Sequence, residues 1–271
     1  MPIDTSSYYP EVPSDGNDDQ YSLNHRDMGL FGGSSEPTPP PVPEPEPQPA
    51  PQPSGRKPGK DDEESGAERF VTGLSHILSW IFVPLMMPVY GLILAFSLSI
   101  LDVAPIGMRV VFTLIVAGID ALVPMLLIVL LKKIGVVQDL GLNGQKERFI
   151  PYIISIVAYL CTAWFMATKG APMWLIMFFA GGALGGFINM IINFWWKISA
   201  HAAGIAGIVA LLIRIEKDGS PEPQLFFWLV ATIVVAGLLG SARVWLGRHT
   251  VWQVLAGFVV GFCSVFFMTM I

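Results

Sequence analysis

The chain has 271 residues, 53% of them hydrophobic, with a formal net charge of −5 and only two cysteines. So apolar a composition excludes an ordinary soluble domain, and two cysteines exclude a disulfide framework or a cysteine-rich metal site. The acidic balance also argues against a nucleic-acid partner.

The charge is unevenly spread. Residues 1–69 hold 14 Asp/Glu against 5 Lys/Arg, a net of −9; the remainder holds 7 against 11, a net of +4. Pro37 to Pro53 alternates proline with small, polar or acidic residues. Such a stretch buries too little apolar surface to offset its ordering entropy. Residues 1–69 therefore read as a disordered acidic tail with a polyproline II stretch. That stretch can recruit a protein partner, though a passive spacer is the simpler role. Met1-Pro2-Ile3-Asp4 has neither a basic n-region nor an apolar h-region, so no cleaved signal peptide is expected.

Residues 70–271 read as an all-α polytopic membrane domain of six or seven spans. Seven apolar runs approach the ~20 residues needed to cross a bilayer: 76–101, 107–131, 150–168, 172–194, 200–215, 224–242 and 250–270. Pro105, Pro172 and Gly219-Ser220-Pro221 punctuate them. The fifth run is short and rich in Ala and Gly, so it is expected to be enclosed by its neighbours. Gly181/Gly185, Gly182/Gly186 and Gly257/Gly261 offer small-xxx-small faces for close helix packing. Trp195 and Trp196 mark an interface. Cys161 and Cys263 lie within apolar runs and read as small buried hydrophobes. The chain reads as an integral protein of the plasma (inner) membrane of a bacterium.

Three polar clusters sit at the mouths of these runs. Lys146 and Arg148 precede the third, Ser199 and His201 follow the fourth, and Arg243 and His249 follow the sixth. Two crossings separate each cluster from the next, so all three emerge on one face. Cations and imidazoles are costly beside hydrocarbon and carry a functional reading by default. Arginines hold phosphoryl oxygens bidentately, and Arg148, Arg243 and Lys146 are the candidates. Ser199 at the head of a helix would aim that terminus at the same anion. One imidazole can attack phosphorus while a second protonates the leaving oxygen; His201 and His249 are the two histidines that fall in these clusters. No ligand cluster for a metal is visible, and no cofactor is expected.

These residues resemble the type 2 phosphatidic acid phosphatase (PAP2) and haloperoxidase superfamily. Its motifs run Lys-x6-Arg-Pro, Pro-Ser-Gly-His and Ser-Arg-x5-His-x3-Asp. Arg148, Ser199, His201, Arg243 and His249 match them in order, and the resemblance covers roughly residues 130–270. The chain departs at several positions. Gly141 stands at the first Lys, with Lys146 a nearby substitute, and the Pro after Arg148 is absent, with Pro151 close by. Ile198 and Ala200 replace Pro and Gly, and Ala242 replaces Ser. Gln253 stands where the family places the Asp that supports the nucleophilic His. A Gln carbonyl can orient an imidazole but not stabilise an imidazolium; in a serine-protease triad the corresponding Asp→Asn change costs ~10⁴ in turnover.

The resemblance implies an integral lipid phosphate phosphatase working through a phosphohistidine without metal, with His249, His201 and Gln253 as the catalytic group. Arg148, Arg243, Lys146, Ser199 and Lys197 would hold the phosphate. Phosphatidate, phosphatidylglycerophosphate, a polyprenyl diphosphate or a phosphorylated glycolipid are the implied substrates. The alternative is a catalytically silent relative that binds lipid phosphates or partner proteins.

Outside these motifs, Lys132 and Lys133 read as interfacial anchors, and Arg248 as a surface cation. Asn189 and Asn193 read as interhelical hydrogen-bonding residues. Asp120, inside the second run, would pair with Arg109, make a helix contact or reach His249. With an N-terminus left in the cytoplasm, seven crossings put the site on the cytoplasmic face; if the first run does not cross, the site moves outside.

Overall fold

The computed structural model describes residues 65–135, 148–217 and 224–271. Lys146, the tail up to residue 64, Gly141 and the Gly219-Ser220-Pro221 turn lie outside the described residues. Among those described, every regular element is helical and none is a strand.

The first apolar run is two helices rather than one. Helix α1 (Gly66–Ile81) starts inside the stretch read as tail, where a capping box holds its first turn. The Ser65 hydroxyl accepts the Glu68 N–H at 3.3 Å, and the Glu68 carboxylate accepts the Ser65 N–H at 2.9 Å. Pro84 lacks the N–H that would continue the helix. A short 3-10 turn (Pro84–Met86) therefore intervenes before α2 (Met87–Leu98), and α1 and α2 are bent by 43° relative to each other.

Helices α3 (Ile106–Ala117) and α4 (Val123–Lys133) are joined through a π-helical turn, Gly118–Leu122, into one 28-residue candidate span. The wide turn points Asp120 inward, where it is fully buried and accepts the Thr162 hydroxyl at 2.9 Å. Arg109 does not reach Asp120. Its guanidinium donates to the Ala104 and Phe96 carbonyls, closing the loop after α2.

The remaining helices are α5 (Phe149–Thr168), α6 (Met173–Ile192), α7 (Ala200–Lys217), α8 (Gln224–Trp245) and α9 (Val251–Thr269). Among the described residues, five helices suit a membrane crossing by length and composition, or six if the bent α1–α2 pair is one span. α7 is not among them, since Arg214, Glu216 and Lys217 occupy its last turns. It is instead the enclosed helix its composition suggests: Ile205, Ile208, Leu211, Leu212 and Ile215 are all fully buried.

The glycines explain how tightly the helices close. A Cβ on Gly261 would fall on the Ala203 backbone, so α9 and α7 touch main chain to main chain there. On α6, Gly181 and Gly185 face Val265 and Ser264 of α9, whereas Gly182 and Gly186 face Tyr159 and Ile156 of α5. Two small-residue stripes on one helix thus admit two neighbours. Met87 lies against Gly204, and Gly91 against Leu211, so α2 and α7 run parallel from one end of the bundle. Cys161 is exposed on the outward face of α5 and Cys263 half-buried, both free; the expectation that both are buried fails because Cys161 lies on the opposite face of α5 from its buried neighbours Ala158, Thr162 and Ala163.

Candidate active site

The end of α8 builds the first half of the site. Gly247 adopts φ +62°, a left-handed conformation that stops the helix. The chain then folds back, and the Arg243 carbonyl accepts the backbone N–H groups of both Arg248 and His249. Arg243 and His249, six residues apart in sequence, are thereby brought together.

Thr250 next caps α9. Its hydroxyl accepts the Gln253 N–H at 3.4 Å, and Gln253 Oε1 accepts the Thr250 N–H at 3.2 Å. The same Oε1 lies 3.2 Å from His249 Nδ1. Because the Thr250 N–H requires an acceptor, the atom facing both groups is the carbonyl oxygen, and His249 Nδ1 must carry the proton. The Nε2 lone pair of His249 is left free. Gln253 Oε1 thus lies against both the Thr250 N–H and the His249 imidazole.

Backbone contacts join the second cluster to this one. The Ser199 N–H donates to the Gln253 carbonyl at 3.2 Å. The Ser199 hydroxyl accepts the Ala202 N–H at 3.4 Å, capping α7. Ser199 is fully buried. His201 lies in the first turn of α7, and its Nε2 is 3.2 Å from the Ser79 carbonyl of α1.

Arg148 enters from the head of α5, where Nη1 donates to the Ile198 carbonyl at 3.3 Å. Arg148, Arg243 and His249 are 8%, 9% and 6% exposed, a degree of burial unusual for two guanidiniums. The buried Nε of Arg243 makes no hydrogen bond, so one guanidinium donor stands ready for an anion. Asn189 and Asn193 are also buried, and Asn189 Oδ1 makes no hydrogen bond; the interhelical bond expected of that oxygen is not made.

The electrostatics follow from this concentration of cations. Burial, and then Arg148, Arg243 and Lys197 nearby, hold the His249 pKa down at about 3, against a small opposing effect of Gln253. Half-buried Lys197 has its pKa lowered by burial and by Arg148, Arg243 and Arg248. It therefore stands among the arginines rather than apart from them. Arg248 belongs to the same basic group. Burial likewise lowers the Arg148 pKa, and Tyr152, beside it, works the other way.

Arg148, Ser199, His201, Arg243, His249, Gln253 and Lys197 thus converge at one end of the bundle, as the even number of crossings requires. Asp120 does not take part. It is held by Thr162, and the side chain beside the His249 imidazole is Gln253. Three contributors escaped the sequence reading. Tyr152 lies one helical turn after Arg148, a spacing that could have revealed it. Thr250 with Gln253 has the form of a capping box, which was also readable. The Ser79 carbonyl is a backbone group and leaves no side-chain signature.

No curated protein and no solved structure matches the chain. A family model does, over the stretch that carries Ser199, His201, Arg243, His249 and Gln253: residues 193–271 match the PAP2 superfamily.

Proposed function

We propose that the chain is a membrane lipid phosphate phosphatase that works through a phosphohistidine. The observation that carries this reading is the orientation of His249. Its Nδ1–H is held by Gln253 Oε1, and the ring stands near the buried guanidiniums of Arg148 and Arg243. A lipid phosphomonoester would bind between Arg148 and Arg243, whose charges offset its two negative charges and the charge that spreads over the equatorial oxygens during displacement. The Nε2 lone pair of His249 forms a bond to phosphorus as the bond to the leaving oxygen breaks. His201, in its protonated imidazolium form, delivers a proton to that oxygen and becomes the neutral ring, releasing the lipid alcohol. Water then attacks the phosphohistidine, His201 takes a proton from it, and inorganic phosphate leaves. Each step uses only side chains of this chain and water.

Purified protein in detergent micelles with phosphatidate and a chelator is expected to release phosphate. His249→Ala should abolish release, and His201→Ala should lower it by about two to four orders of magnitude, the usual contribution of a general acid. Release that survives His249→Ala would show that another nucleophile is at work.

A second reading, a silent relative that binds lipid phosphates, is favoured by one observation. The group behind His249 is a neutral amide whose single oxygen is shared with the Thr250 N–H. Wild-type turnover indistinguishable from His249→Ala, together with retained binding of phosphatidate vesicles, would select it.

A further inference from the structure

α1 contributes to the site although it lies more than a hundred residues away in sequence from His201 and outside the matched stretch. An α-helix leaves its last four carbonyls without intrahelical partners. In a continuous helix the Ser79 carbonyl would accept the Val83 N–H, and the Trp80 carbonyl would accept the N–H of residue 84. Residue 84 is proline, and the residue before a proline is driven out of the helical region; Val83 is accordingly extended, at φ −63°, ψ 140°. The Leu78 carbonyl is taken by the Phe82 N–H and the Ile81 carbonyl by the Tyr90 hydroxyl. The Ser79 carbonyl is left for the His201 ring.

α1 is tied to the bundle within its first half and again just beyond its end. The Trp245 indole N–H donates to the Thr72 hydroxyl at 3.1 Å, and the Tyr159 hydroxyl to the Pro84 carbonyl at 3.2 Å. Trp245 is two residues beyond Arg243, so the tie runs straight to the phosphate-binding end of α8.

We infer that the Ser79 carbonyl at the broken end of α1 positions His201, fixing the proton on Nε2 so that Nδ1 is the nitrogen that exchanges a proton with the substrate. A carbonyl oxygen only accepts, so the ring nitrogen facing it must be the protonated one. Ser79 then does for His201 what Gln253 does for His249, and each imidazole is left with one working nitrogen. The catalytic consequence rests on the phosphatase reading above; the tautomer does not.

Pro84→Ala is the test, because it restores the residue 84 N–H and lets Val83 re-enter the helix and occupy the Ser79 carbonyl. Imidazole 15N spectra of the full chain in detergent, with the His201 signal assigned by its loss in His201→Gln, should show the neutral ring as the Nε2–H tautomer. In Pro84→Ala the Nδ1–H form should gain, with kcat for phosphatidate falling about tenfold and KM within about twofold, a fraction of what a general acid supplies. Trp245→Phe, which removes the donor to Thr72 and leaves a smaller aromatic ring, should shift tautomer and kcat in the same direction by less, and stands in if Pro84→Ala does not fold. A wild-type His201 in the Nδ1–H form, or variants with an unchanged tautomer, overturns the inference. A chain that releases no phosphate but shows the Nε2–H form and its shift sustains the positioning and removes only the phosphatase reading.

Discussion

At residue 253 one amide oxygen serves two purposes, since it completes the cap of α9 and orients the imidazole of His249. The two can be separated by substitution. Glu has the length of Gln and should keep both contacts while adding a charge. Asp is one methylene shorter and should surrender the bond to the Thr250 N–H, at a cost of about 1 kcal/mol of stability. Both add a carboxylate that stabilises the charged imidazolium, so both should raise turnover, but only Gln253→Asp should lower the thermal midpoint. The pH dependence follows with its sign. In the proposed phosphatase mechanism His249 attacks as the neutral ring, and a pKa of about 3 keeps it neutral as the medium becomes acidic. The acidic limb of kcat/KM should therefore lie near pH 3 in the wild type. In Gln253→Glu a carboxylate raises that pKa and should move the limb to higher pH. A limb that stays in place would mean that residue 253 does not support the nucleophile. The side chains of this site were largely legible beforehand, because spacing at segment mouths and chemistry point to the same few residues. What was not legible is the part performed by main chain, at Ser79, Ile198 and the Gln253 carbonyl, because any residue type carries those groups.

Among the elements, α7 and α9 are the pair on which the site depends, because Ser199 heads one and Gln253 the other. Their closest approach is at Gly261, where any side chain would meet Ala203 backbone. Backbone cannot step aside as a flexible side chain can. Gly261→Ala should therefore cost about 1–3 kcal/mol of stability, the usual range for overpacking, and separate Ser199 from Gln253, lowering activity together with the thermal midpoint. Gly237→Ala is the matched comparison. It lies in α8 with open space around its Cβ position, and should be neutral or stabilising by up to about 1 kcal/mol. Equal losses in the two variants would show that helix packing at Gly261 is not what matters. Helices α5, α6, α8 and α9 follow the apolar runs within a few residues. The first run did not, since apolar composition alone does not distinguish a continuous helix from two halves broken at Pro84. Nor did composition reveal the π turn at Gly118–Leu122, which consists of residues any membrane helix could contain.

For the molecule as a whole, the alternation of helix directions places Arg148, His201 and His249 at one end and Lys169 at the other. α6 separates Lys169 from Trp195, both exposed, and is itself a candidate span. In a Cys161→Ala/Cys263→Ala background, Lys169→Cys and Trp195→Cys are expected to label from opposite sides of sealed cells. The side on which Trp195→Cys reacts is the side of the site, which also decides between the cytoplasmic and outer placements. Labelling of both from one side would break the crossing of α6 and with it the arrangement of the clusters. The parity of the crossings was readable from sequence because it needs only a count. The absolute side was not, because the basic residues that usually report it are here the site itself.

The π turn at Gly118–Leu122 has a consequence for how α3 and α4 are phased. Each residue of an α-helix advances ~100° around its axis, and a π turn accommodates one residue more than an α turn would. Removing one residue from this segment would let an unbroken α-helix form, and the faces of α3 and α4 would fall into a single register. Asp120 would then be turned away from Thr162, or, with α4 rotated instead, Pro124 and Ile128 would leave the interior for the lipid. The 28-residue span thus behaves as two helices in series whose angular offset is stored in five residues, and the buried carboxyl sits where that offset is set.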